Sequence, residues 1–250
     1  ATALPVPSTP LLTPTPTPDP ALVRVEALQA MEEGDYPKAI SLWEWLVLRA
    51  EIAERAVDRI ALARAYLEEG RRAEASVQLV SAFEEAQTSA QRQEILGLLG
   101  NLYEALGEWQ AAIEVYQRYL DEGGGAADYV RFHIAMAYKA LGDEARLQET
   151  LLAIDRASLP AAKRAELLEE LALSRHRMGD VEGALQAYEG ILSFAQQGAY
   201  RALILKDQAE VLREVGQVKD AQGLYERVVK EYPERQATAL ALDALEAMGA

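Results

Sequence analysis

Residues 99–119 read LGNLYEALGEWQAAIEVYQRY, and their reading decides the fold. Leu99, Leu102, Tyr103 and Leu106 stand three and four residues apart, the spacing of one face of an α-helix. Gly107 interrupts them. Beyond it Ala112, Ile113, Tyr116 and Tyr119 resume a helical spacing. Two amphipathic helices are expected, joined by a turn. Its glycine takes the left-handed backbone that ends a helix with no Cβ penalty.

The same sentence is written six times. Turn glycines recur at Gly34, Gly70, Gly107, Gly142, Gly179 and Gly216, 35 to 37 residues apart. Five residues after each stand Ala39, Ala75, Ala112, Leu147, Ala184 and Ala221. Nine after stand Trp43, Leu79, Tyr116, Leu151, Tyr188 and Tyr225. Seven before stand Ala27, Ala63, Gly100, Ala135, Ala172 and Ala209. Small residues at fixed offsets let helix backbones approach, and the large residue fills the gap between them. Asp35, Glu108, Asp143 and Asp180 follow their glycines, where a negative charge suits the next helix N-terminus.

This pattern resembles the tetratricopeptide repeat. The third unit carries it best, in Leu99-Gly100-Asn101-Leu102-Tyr103, Gly107-Glu108-Trp109, Ala112-Ile113 and Tyr116. The first has Gly34-Asp35-Tyr36 and Trp43, and the last ends Tyr225 and Tyr232-Pro233. The resemblance implies an all-α fold, a right-handed α-solenoid of about six helix-turn-helix repeats. They would span about 21–50, 51–88, 89–122, 126–157, 159–197 and 199–232. A capping helix over 234–248 would cover the last repeat with Ala237, Leu240, Ala244, Leu245 and Met248. Three departures stand out. The period exceeds the family's roughly 34 residues. Leu147 replaces the expected alanine and should push its helix outward. Gly123-Gly124-Gly125 reads as a flexible joint.

Residues 1–20 differ from the rest. Seven of the chain's ten prolines lie there, interleaved with threonine, and no charge precedes Asp19. Such a stretch favours extended polyproline II. With a start at Ala1, it reads either as the tether of a bacterial secreted protein or lipoprotein, its lipid-bearing Cys just upstream, or as an interdomain linker. It is also a candidate for self-association, one chain's tail lying in the groove of the next.

Composition narrows the function. Twenty-five Lys+Arg against 40 Asp+Glu give a net charge of −15, which argues against nucleic acid and for basic partners. No run is apolar for the roughly 20 residues of a membrane span. There is no cysteine, so thiolate chemistry and disulfides are absent. No phosphate-binding loop, metalloprotease helix or nucleophile elbow occurs. His133 and His176 are too far apart in register for one metal site. No cofactor, no metal and no catalytic group is expected.

The resemblance also implies where partners bind. Ligand positions on the family's first helices carry over to Arg24, Leu28 and Met31; Ile60, Arg64 and Leu67; Gly97, Asn101 and Glu104. They continue with Phe132, His133, Met136 and Lys139; Glu169, Leu173 and His176; and Lys206, Glu210 and Arg213. The sharpest set is Arg64, Asn101, Glu104, Tyr129, Phe132, His133, Met136, Lys139 and His176. Tyr129, Phe132, His133 and Met136 would offer adaptable aromatic surface to a peptide. Arg64, Asn101 and Lys139 would hold its backbone or a carboxylate. An aromatic and methionine row on a helix is more often core. The expected function is a non-enzymatic protein-interaction scaffold, outside the cytoplasm and tethered. The alternatives are a peptide or small-ligand sensor and the targeting module of a larger enzyme complex.

Overall fold

The computed structural model describes residues 18–195, 198–233 and 236–249. The expected tail lies outside them up to residue 17. The described chain is all-α. Six helix pairs follow one another: α1 (Pro20–Glu33) with α2 (Tyr36–Val47), α3 (Ile52–Glu68) with α4 (Arg72–Glu85), and α5 (Ser89–Leu106) with α6 (Trp109–Asp121). Then come α7 (Ala127–Leu141) with α8 (Glu144–Leu152), α9 (Ala161–Arg177) with α10 (Val181–Leu192), and α11 (Ala199–Glu214) with α12 (Val218–Glu231). A last helix, α13 (Gln236–Ala247), closes the series. The chain divides into two compact units, up to Ile95 and from Leu96 onward, with the division inside α5.

All six turns share one local design. Each turn glycine has φ between 73° and 81°, the left-handed region. Its N–H bonds three residues back, and the next N–H bonds five back, as in Gly107 N–H to Glu104 and Glu108 N–H to Tyr103. This is the Schellman closure, which satisfies the carbonyls a helix end leaves unpaired. Asp35, Asp143 and Asp180 do more than favour a dipole. Each accepts the N–H three residues on, from Lys38, Arg146 and Gly183, and so caps the second helix.

The periodic residues form the interior. The small positions Ala27, Ala63, Ala135, Ala172 and Ala209 are fully buried, and so are Ala39, Ala75, Ala112, Ala184 and Ala221. Tyr116, Tyr188 and Tyr225 sit among them. Glycine at Gly100 is a packing requirement, because a Cβ there would lie 2.1 Å from Cε1 of Tyr116.

Four expectations change. The helical chain starts at Pro20, inside the expected tail. Asp19 accepts the Ala21 N–H, and proline at the first helical position has no donor to lose. Leu147 is buried, and α8 runs for only 9 residues before the 3₁₀ turn Arg156–Ser158. The triple glycine is a packed turn. Gly123 takes φ 73° just after the C-cap Glu122, and Gly124 lies beneath the ring of Tyr119. In α13 the buried residues are Ala237, Thr238 and Ala241. Ala244, Leu245 and Met248 pack against the same core as expected, and of the expected face Leu240 alone points outward.

Candidate functional site

The first helices α1, α3, α5, α7, α9 and α11 carry every residue of the expected site. Consecutive first helices are joined by ion pairs. In the first unit Arg24 holds both oxygens of Asp58 at 2.9 Å and Glu54 at 2.6 Å. Arg64 holds Glu94 at 2.7 Å. In the second, His133 meets Glu104 at 2.9 Å, Lys139 meets Glu170 at 2.6 Å, and His176 meets Glu214 at 2.7 Å. These cations were expected to hold a peptide. They are already engaged with acids about one repeat away, in the preceding repeat for His133 and in the following one for the others, so their first role is to join neighbouring repeats.

The remaining site residues divide by burial. Phe132 is 2% exposed and belongs to the core, so it offers no surface to a ligand. Ile60 is buried as well. Met136 is half-buried against the second unit's core. Asn101 is exposed and accepts the Tyr116 hydroxyl at 2.9 Å. Burial, and then the nearby Glu104 charge, push the Tyr116 phenol far above its ordinary pKa. Tyr129 remains open at 47% exposure, its ring edge-on to His133 at 4.6 Å.

From Tyr129 the surface continues onto α9 and α11. Lys163 stands 5.9 Å from the Tyr129 ring centre and 4.8 Å from that of Phe132, and bonds Glu166 at 2.8 Å. Glu169, one of the carried-over positions, is the carboxylate that matters most here. No cation is paired with it among the described ion pairs. Burial raises its pKa, a bond from Tyr200 opposes this, and the charges of Asp207, Glu170 and Glu166 raise it further. Burial also works against the Lys206 ammonium. Its bonds to Asp207 and Glu210 nevertheless hold its pKa above the ordinary value. The second unit therefore presents Tyr200 beside a carboxylate with no paired cation, and Tyr129 on the neighbouring first helix. Among the described residues no three His, Asp or Glu side chains converge as a metal site would require, and no helix is long and apolar enough to cross a membrane.

The sequence reading missed Asp58, Glu94, Glu170, Glu214 and Tyr200. The signal for the acids was present: each cation has an opposite charge about a repeat further on, which the repeat brings alongside.

Family profiles described as tetratricopeptide repeat match residues 95–125 and 199–235. These two stretches are tetratricopeptide repeats. Its fold is similar to that of the C-terminal part of a TPR repeat-containing protein from Cytophaga hutchinsonii. That likeness has a TM-score of 0.72 and 16% identity over 91% of this chain and 88% of that one. A tetratricopeptide repeat protein from Parabacteroides merdae gives 0.62 and 15% over 85% and 79%. YrrB, titled a TPR protein with an unusual peptide-binding site, gives 0.58 and 16% over 77% and 93%. No curated protein sequence matches the chain. The ion-paired first helices, the glycine turns and the small-to-large packing are thus properties of this fold.

Proposed function

We propose that the chain is a non-enzymatic protein-interaction scaffold, and that the first-helix face of its second unit receives a basic peptide segment. The observation that carries this is Glu169. It is half-buried, lacks a cation and is crowded by Asp207, Glu170 and Glu166. An arriving Lys or Arg would supply the missing charge and relieve that crowding. Tyr129 and Tyr200 are rigid amphipathic contacts with exposed rings, of the kind that anchors peptides. The net charge of −15 steers basic segments toward the chain. The likeness to YrrB, described as a TPR protein with an unusual peptide-binding site, is in keeping with this reading.

A peptide-array selection against the full chain tests it. Enrichment of Lys- or Arg-containing peptides, lost with Glu169→Lys and reduced with Tyr129→Ala, is the expected result. Enrichment of acidic peptides, or of basic ones retained by both variants, would refute the site. We also place the protein outside the cytoplasm, tethered through its Thr-Pro leader. The composition of residues 1–20 supports this. Protease shaving of intact cells of the parent organism should then remove the protein, and complete protection within the cytosolic fraction would contradict it.

A further inference from the structure

A feature away from the first-helix face repeats with the sequence. Each unit holds a cavity between the second helix of one repeat and both helices of the next. The first measures about 430 Å³ and lies between α2, α3 and α4. The second measures about 310 Å³ and lies between α6, α7 and α8.

The two are built from equivalent positions. Eleven residues before the turn glycine stand Arg59 and Arg131, eight before stand Leu62 and Ile134, and four before stand Tyr66 and Tyr138. Val47 and Leu120, each thirteen residues after its own turn glycine, supply the facing apolar wall. In both, an arginine of the following helix turn lies over the tyrosine ring: Arg71 at 4.5 Å and Arg146 at 5.6 Å. The other four repeats lack this Arg-Tyr couple. At those two offsets they carry Val23 and Ala30, Leu96 and Tyr103, Leu168 and Arg175, or Leu205 and Leu212. Ordinary packing of this fold therefore does not demand it.

The chemistry of the lining limits what fits. Leu62 and Ile134 give each cavity a buried apolar floor. A guanidinium stands beside it. Arg131 is 37% exposed and gives Nη1 to Asp128, and its fork has further N–H groups. Arg59 gives Nε and Nη2 to Glu85 and Nη1 to Gln78, which leaves it the second N–H of each Nη. Each cavity also contains one carboxylate, Glu44 or Glu149, and Glu44 already accepts the Tyr66 hydroxyl at 2.6 Å. In a strongly acidic chain these are concentrations of arginine around an apolar hollow. A side chain that is only apolar would leave the guanidinium edge unused, and a basic one would be repelled.

We propose that the two cavities are equivalent pockets for a partner protein's acidic-apolar segment. A Leu, Ile or Phe side chain would fill the hollow, and an adjacent Asp or Glu carboxylate would meet Arg59 or Arg131. This partner chemistry is opposite in charge to that assigned to the first-helix face, so the two readings fail separately.

The test uses the full chain and two fluorescein-labelled heptapeptides, one with a central Leu-Asp pair and one with Leu-Asn. Polarisation should show the Leu-Asp peptide binding at least tenfold more tightly. Amide shift changes should cluster around Leu62 and Tyr66 and around Ile134 and Tyr138. Arg59→Gln together with Arg131→Gln should abolish the difference between the peptides. Thr150→Trp, which fills the second cavity and leaves its arginines in place, should silence the second unit's shifts alone. Melting temperatures of all variants identify any that fail to fold. Equal affinity for the two peptides, no binding by either, or shifts confined to the first-helix face would overturn the proposal.

Discussion

The two units join their first helices with different chemistry. In the first, both rungs are made by arginine, and Arg24 closes on Asp58, which is only 1% exposed. In the second, two of the three rungs use histidine, which carries charge only when protonated, and each lies nearer to solvent than Arg24–Asp58, while Arg64–Glu94 of the first unit is the most exposed of the five. The same geometric role, opposite charges a repeat apart, is filled once by a permanent pair with a fully buried carboxylate and elsewhere by pairs that range from partly buried to half exposed. The difference teaches that burial sets how much a rung holds. A pair taken out of water cannot lose one member cheaply, whereas an exposed pair exchanges its partner for water.

The largest effect should come from breaking the buried rung. Asp58→Ala leaves Arg24 beside Glu54 alone and is expected to cost about 2–3 kcal/mol, less than a fully buried pair because Arg24 is 28% exposed. Denaturant unfolding measures it. A loss no larger than that of an exposed rung would erase the contrast.

Packing, rather than charge, should give the largest loss in the second unit. Gly100→Ala drives a methyl into the Tyr116 ring and disturbs its bond to Asn101. A cost of about 1–2 kcal/mol is expected, since overpacking outweighs alanine's helix preference. The equivalent positions already carry alanine. Tyr116→Phe should leave the clash in place, and Tyr116→Leu should relieve it.

The next effect carries a pH sign. The fold raises the Glu169 pKa above its unfolded value, so the ionised form opposes folding. That opposition is present above the folded pKa and fades as pH falls toward the ordinary glutamate range. Glu169→Gln should therefore be more stable than the parent at pH 7, by a small margin that solvent screening limits. The gap should close near pH 4. Thermal melts at the two pH values check it, and a less stable variant at pH 7 would reverse the sign. The smallest effect belongs to Arg64→Ala. Its rung with Glu94 is about half exposed on both sides, and its loss should cost under about 0.5 kcal/mol and vanish in high salt.

Fold and site were legible to different degrees. The repeat could be read because a turn needs its glycine and a close helix contact needs its alanine. Those demands are local and recur at fixed offsets. In α13 Ala237, Ala244, Leu245 and Met248 were legible from their spacing and Leu240 was not, since a single terminal helix has no second copy to fix the edge of its packed face. Phe132 was misplaced for a similar reason: an aromatic on a first helix has the same spacing whether it faces the core or the groove. The rungs were invisible one helix at a time. Lys139 and His176 looked like free donors until the fold set Glu170 and Glu214 beside them. Glu169 gained its importance the other way, from the lack of a cation across the helix interface.

The most direct test of the central reading is calorimetric titration of a short Lys- and Leu-containing peptide into the full chain and its Glu169→Lys variant, at low and high salt. The parent should bind at low salt and weaken as salt rises, with no detectable heat from the variant and unchanged binding by Arg64→Ala. Equal binding by the parent and Glu169→Lys would contradict a basic partner on the first-helix face.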